Sequence, residues 1–217
     1  MKMIVSDEIV ALQDRCTRSW HVSPGAGNGA SHPVADDDAA DEIVAWLRAV
    51  ELQHHANFEL WHIEDEARRP GALDSEIAGV KRRIDKTNQR RNDLAEELDR
   101  VLLNWLEQRN LPSETAPLHS ESPGLIIDRL SILALKIYHT SEEAERADGP
   151  EGHAKRNRER LAILKEQRSD LAGCLDALWR ESLAGARRFK IYRQLKMYND
   201  PSLNPAIYGR SQETKSL

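Results

Sequence analysis

The stretch from Asp74 to Trp105, DSEIAGVKRRIDKTNQRRNDLAEELDRVLLNW, decides the fold. Positions 77, 80, 84, 87, 91, 94, 98, 101 and 105 recur at three- and four-residue steps, the period of one helical face. All are apolar except Thr87 and Arg91. Asp74 is a suitable N-cap, and the helix must end before Pro112. Outward from this segment the same pattern returns. A helix from Asp38 to Arg69 starts with the acids Asp36, Asp37 and Asp38 at its positive end and stops at Pro70-Gly71. A third opens at Pro123 and carries Ile126, Ile127, Leu130, Leu133 and Ile137. After the turn Ala147-Asp148-Gly149-Pro150, a fourth carries Leu161, Leu164, Leu171, Leu175 and Leu178 and runs into Gly185. A shorter helix, Asp7 to Trp20, precedes them. The loop from His21 to Asp37 holds Pro24, Gly25, Gly27, Gly29 and Pro33.

The expected fold class is therefore all-α: an elongated bundle of four long helices, made of two duplicated antiparallel hairpins (38–109 and 123–187). A short N-terminal helix and a C-terminal clasp complete it. One domain spans 1–209, with a disordered tail at 210–217. Aromatic residues are only 5% of the chain, too few for a strand-rich core, which agrees with this class.

The duplication is visible at a constant offset of 77 residues. Trp61-His62 falls on Tyr138-His139, Glu66-Ala67 on Glu143-Ala144, and Arg91-Asn92-Asp93-Leu94-Ala95 on Arg168-Ser169-Asp170-Leu171-Ala172. Arg91 and Arg168 each interrupt an apolar stripe, and a buried guanidinium must be paired. Counting back from each turn places Glu51 near Arg91 and Asp128 near Arg168. These two pairs are expected to form a polar layer across the bundle, either fixing helix register or holding a small ligand.

Charge and composition exclude several classes. With 31 Lys+Arg against 36 Asp+Glu the net charge is -5, which argues against a general nucleic-acid binder. No apolar run suffices for a membrane span, and Cys16 and Cys174 make no disulfide framework, so a cytoplasmic protein is expected. Gly25-x-Gly27-x-Gly29 follows no strand and is no nucleotide loop.

The densest set of ligand-type side chains is His54-His55-Ala56-Asn57-Phe58-Glu59-Leu60-Trp61-His62. His55, Glu59 and His62 share a helical face at i, i+4 and i+7, so they could hold a single metal or simply face solvent. A symmetric di-iron site is not expected, because the duplicate of Glu59 is Lys136. Candidate ligand-binding residues are Glu51, His54, Asn57, Trp61, Arg91, Asp128 and Arg168. Arg193 and Lys196 join them from a C-terminal segment in which cations alternate with aromatics. That segment either receives a small anionic or sugar-phosphate ligand or packs Phe189 and Tyr192 on the bundle end.

Several ordered words carry a family resemblance: Cys16-x-x-x-Trp20-His21, Asn57-Phe58-x-Leu60-Trp61-His62-x-Glu64-Asp65, Asn88-x-x-Arg91-Asn92-Asp93, Ile126-Ile127-Asp128-Arg129-Leu130-Ser131, Tyr138-His139 and Gln167-Arg168-x-Asp170. With Tyr192-Arg193-Gln194 and the residues after it, the chain resembles a full-length member of the bacterial helical family called domain of unknown function 4254. The resemblance implies an all-helical fold and neighbourhood with glycosyltransferases of cell-envelope polysaccharide synthesis. It implies no mechanism. Separately, His55-x-x-x-Glu59-Leu60-Trp61 resembles the distal helix of the haem-dependent tryptophan dioxygenase superfamily. That likeness implies a haem with His139 or His153 as its iron ligand. The sequence thus leaves two functions open: a binding or accessory module without cofactor, or a metal- or haem-dependent enzyme.

Overall fold

A computed structural model describes residues 5–23, 38–193 and 202–205, with side chains of the second segment from residue 42 onward. Among these residues the chain forms five helices and no strand: α1 (Ser6–Val22), α2 (Asp38–Glu66), α3 (Asp74–Glu107), α4 (Pro123–Glu145) and α5 (His153–Leu183). The all-helical expectation holds. None of these helices is long and apolar enough to cross a membrane. The expected tail at 210–217, most of the loop after Val22, and Lys196 lie outside the described residues.

Local chemistry sets the helix ends. Leu73, not Asp74, caps α3, and the Glu76 carboxylate turns back to accept the Leu73 N–H at 2.9 Å. Pro123 occupies the first turn of α4, where its missing N–H costs nothing. At the end of α5, Gly185 adopts φ +71, and the Ala186 N–H reaches the Glu181 carbonyl at 2.9 Å, closing the helix in a Schellman turn. The first helix runs past Trp20, so His21 belongs to α1 rather than to the following loop.

The short connections 67–73 and 146–152 fold α2 against α3 and α4 against α5, giving the two expected hairpins. The first helix packs on α4, α2 and α5. It therefore stands between the hairpins and contributes Ile9 and Leu12 to a core shared with Val50, Leu98, Leu102, Ile127, Leu130 and Leu175. Gly124 marks a close approach of α3 and α4, since a Cβ there would collide with the Ala95 carbonyl oxygen and the Asp99 carboxyl. Beyond α5, Phe189 is buried, and the backbone pairs with the α3–α4 connection: the His119 N–H donates to the Arg188 carbonyl at 2.7 Å and the Arg188 N–H to Pro117 at 3.0 Å. Phe189 is thus the anchor of a clasp, while Tyr192 stays half exposed.

Candidate metal centre

The polar layer exists, but with different partners from those expected. Arg91 crosses from α3 to α4 and binds both oxygens of Asp128, its Nε at 2.7 Å from Oδ1. This hydrogen-bonded pairing raises the guanidinium pKa further, against the opposing effect of burial. Arg168 binds Asp14 of α1 at 2.7 Å, and Glu51 accepts from Arg48 of its own helix at 2.8 Å. The expected pairs Glu51–Arg91 and Asp128–Arg168 are therefore corrected. Each guanidinium looks outward from its hairpin, and α1 stands where Arg168 needs its acid.

A common motif explains the substitution. Asp128-Arg129-Leu130-Ser131 on α4 has a counterpart in Asp14-Arg15-Cys16-Thr17 on α1. In each, the aspartate binds one of the two arginines, Arg91 or Arg168, and the hydroxyl three residues on binds His54. His54 is fully buried and stacked on Trp20. Burial depresses its pKa to about 3, so the ring is neutral. The Thr17 hydroxyl donates to the Gln13 carbonyl at 2.9 Å, which assigns the His54 proton to Nε2, donating to Thr17 at 2.9 Å. Nδ1 then accepts from the Ser131 hydroxyl at 2.7 Å, and Ser131 accepts from Asn57 Nδ2 at 2.9 Å. Asp128 also accepts from Gln53 and Asn57. Both nitrogens of His54 and both oxygens of Asp128 are occupied by protein groups.

Open coordination chemistry lies elsewhere, near the ends of α1, α2 and α4. His21, His62 and His139 each present one ring nitrogen within 4.8 Å of the others. Their centroids are 5.2 Å (His21–His62), 5.0 Å (His21–His139) and 5.9 Å (His62–His139) apart. In each ring Nδ1 is engaged by an acceptor: the Thr17 carbonyl for His21 at 2.7 Å, the Phe58 carbonyl for His62 at 2.8 Å, and the Glu142 carboxylate for His139 at 3.1 Å. The neutral tautomer carries its proton on Nδ1, leaving Nε2 as a bare lone pair. The Nε2 atoms of His21 and His139 are buried and have no hydrogen-bond partner.

Aromatic rings enclose the cluster. Tyr138 stacks on His21 at 4.2 Å, Trp61 on His139 at 4.9 Å, and Phe58 meets His21 and His62 at 4.9 and 4.4 Å. Burial, with smaller effects from the other two imidazoles, lowers the His139 pKa, although Glu142 opposes the shift. Three imidazoles engaged at Nδ1 among aromatic rings match the donor set and outer contacts of a histidine metal site. A tetrahedral metal with Zn–N near 2.1 Å needs nitrogens about 3.4 Å apart, a closure of under about 1 Å per ring from the present geometry.

The sequence set His55, Glu59 and His62 does not gather at this point. His55 lies 3.6 Å from Glu59, and Glu59 also binds Arg90, whereas His62 joins His21 and His139. Of the ligand candidates, Asn57, Trp61 and Arg91 line one cavity of about 400 Å³ with Leu60, Arg68 and Ile132. Arg91 and Asp128 also border a smaller one with Tyr192. Arg193 is exposed. The sequence reading missed His21 and named His139 only as a possible haem ligand, because the three histidines come from three helices, although each follows an aromatic residue: Trp20-His21, Trp61-His62 and Tyr138-His139.

The sequence model of a family described as protein of unknown function, DUF4254, matches residues 47–191. The chain belongs to that family. The matched segment of this DUF4254 protein contains His62, His139, the Arg91–Asp128 pair and Arg168; α1, with His21 and Asp14, lies before it. No curated protein and no solved structure matches the chain.

Proposed function

We propose that this protein is a metal-dependent enzyme in which His21, His62 and His139 hold one divalent transition metal through Nε2. The observations that carry this reading are that each of the three rings brings a nitrogen within 4.8 Å of the others while an acceptor engages its Nδ1, and that the Nε2 atoms of His21 and His139 are buried without a partner. Three histidine ligands leave a coordination position for water or substrate, the arrangement of catalytic zinc sites rather than of closed structural ones. A metal there would polarise a bound oxygen or lower the pKa of its water. Glu142, which contacts His139 and also accepts from the Tyr138 hydroxyl, would set the basicity of one ligand.

The haem alternative fits this geometry poorly. His139 is packed against two other imidazoles and Trp61, and His153 is engaged by Glu143 at 2.8 Å and Asn157 at 3.0 Å. A small-ligand reading keeps one observation in its favour, the meeting of Asn57, Trp61 and Arg91 in a single cavity. An accessory role beside envelope-glycan glycosyltransferases rests on the family resemblance alone. Duplication of the hairpins is supported by His54 and Ser131, which are 77 residues apart and touch, as equivalent residues beside a two-fold axis would.

Metal analysis of protein purified without chelator tests the proposal. One equivalent of bound metal, and a visible tetrahedral spectrum on cobalt(II) substitution, are expected. Protein that takes up no metal at excess zinc or cobalt overturns it.

A further inference from the structure

A groove of about 970 Å³ runs between α2 and α3, and of the three clustered histidines only His62 lines it. Two ion pairs span it. Arg83 reaches both oxygens of Glu66, at 2.6 and 3.0 Å, and Arg90 binds Glu59. Moving seven residues back along α2, from Glu66 to Glu59, therefore corresponds to moving seven forward along α3, from Arg83 to Arg90. In that register His62 falls opposite Thr87, with Lys86 beside it, midway between the two pairs. Thr87 is the polar exception in the apolar stripe of α3, and it is only 9% exposed. Its place opposite His62 gives that exception a reason.

The charges of the groove are unequal in kind. Every carboxylate that lines it is engaged: Glu59 and Glu66 by the arginines, Asp85 by Lys81, and Asp93 by Gln89 at 2.8 Å. Lys86 has no ion-pair partner among the described residues. Phe58 and Ile63 supply apolar wall. An uncompensated ammonium beside a hydroxyl, facing a metal ligand across an amphipathic groove, suits a substrate that carries a small oxyanion.

We infer that this groove is the substrate side of the metal centre and that it takes a molecule bearing a carboxylate or phosphate, with Lys86 as counter-charge and Thr87 as hydrogen-bond partner. The inference rests on the metal reading above. One oxygen of the anion would complete the coordination of the metal while Lys86 neutralises the remainder.

The test uses the cobalt(II)-substituted full-length protein, titrated separately with acetate and with inorganic phosphate while the visible spectrum is followed. A saturable change with at least one anion is expected, and the responding anion identifies the preferred group. Lys86→Met should raise the apparent dissociation constant about tenfold, the size of one charge contact of somewhat over 1 kcal/mol. Thr87→Val should raise it less, and Lys165→Met, on α5, should leave it unchanged. Cobalt bound normally but with a spectrum indifferent to both anions, or equal titrations in wild type and Lys86→Met, overturns this assignment and spares the metal centre. Failure to bind cobalt at all overturns both.

Discussion

Arg91 of α3 holds Asp128 of α4 through both carboxylate oxygens, tying the first helical hairpin to the second. Asp128 is almost fully buried and Arg91 partly exposed, so removing the cation leaves a buried charge with only amide donors. Arg91→Met should destabilise the protein by about 2 to 3 kcal/mol, measured by urea denaturation, below the range for a fully buried pair because water reaches the guanidinium.

The pairing of Arg91 with Asp128 and of Arg168 with Asp14 predicts a pattern of coupling. Double-mutant cycles should give about 1 kcal/mol or more for Arg91 with Asp128, and a smaller but measurable value for Arg168 with Asp14. Arg168 with Asp128 should be additive within about 0.5 kcal/mol. Coupling of Arg168 to Asp128 instead of Asp14 would restore the arrangement expected from the sequence.

Two buried groups give stability opposite pH slopes. Burial raises the Asp99 pKa from 3.8 to about 6, although the Ser122 hydroxyl and the Gly124 N–H bind its ionised form. Between about pH 4 and 6 the folded chain keeps a proton that the unfolded chain loses, so this group costs stability as pH rises through that window. His54 acts the other way. Its ordinary value of 6.5 falls to about 3, so below 6.5 the unfolded chain takes up a proton that the folded one refuses, and stability is lost on acidification. On going from pH 7 to pH 5, Asp99→Asn should lose more stability than wild type, and His54→Gln should lose less. Parallel urea midpoints for all three proteins would refute both assignments.

Gly124→Ala should cost about 1 to 3 kcal/mol, since its new methyl group forces the backbones of α3 and α4 apart. A thermal melt unchanged from wild type would contradict the close approach.

Helix positions were legible because an apolar residue every three or four positions has no competing explanation over thirty residues. Arg91 and Arg168 were legible as charges on a buried face. Their partners were not, because counting back from a turn finds only the neighbouring helix of the same hairpin. The sequence cannot show that α1 enters between the hairpins and brings Asp14 and Thr17 with it. His62 was legible within a ligand-rich helix. His21 was not, and His139 was named only as a possible haem ligand, since periodicity orders residues along one helix and says nothing of which three helix ends converge. Thr87 was visible as an exception and acquired a reason only from the register of the Glu66–Arg83 and Glu59–Arg90 pairs.

The outer contact of the metal centre is separately testable. Glu142→Ala removes the acceptor at His139 Nδ1 without removing a ligand, and it should weaken zinc affinity about 10- to 100-fold while leaving a stoichiometry of one. Unchanged affinity would detach Glu142 from the centre.

The most direct measurement is a calorimetric zinc titration of wild type beside His21→Ala, His62→Ala, His139→Ala, His55→Ala and Glu59→Gln. The three-histidine centre predicts one tight site in wild type, its loss in each of the first three variants, and its retention in the last two. Loss of zinc binding in His55→Ala or Glu59→Gln with retention in His21→Ala and His139→Ala would contradict it.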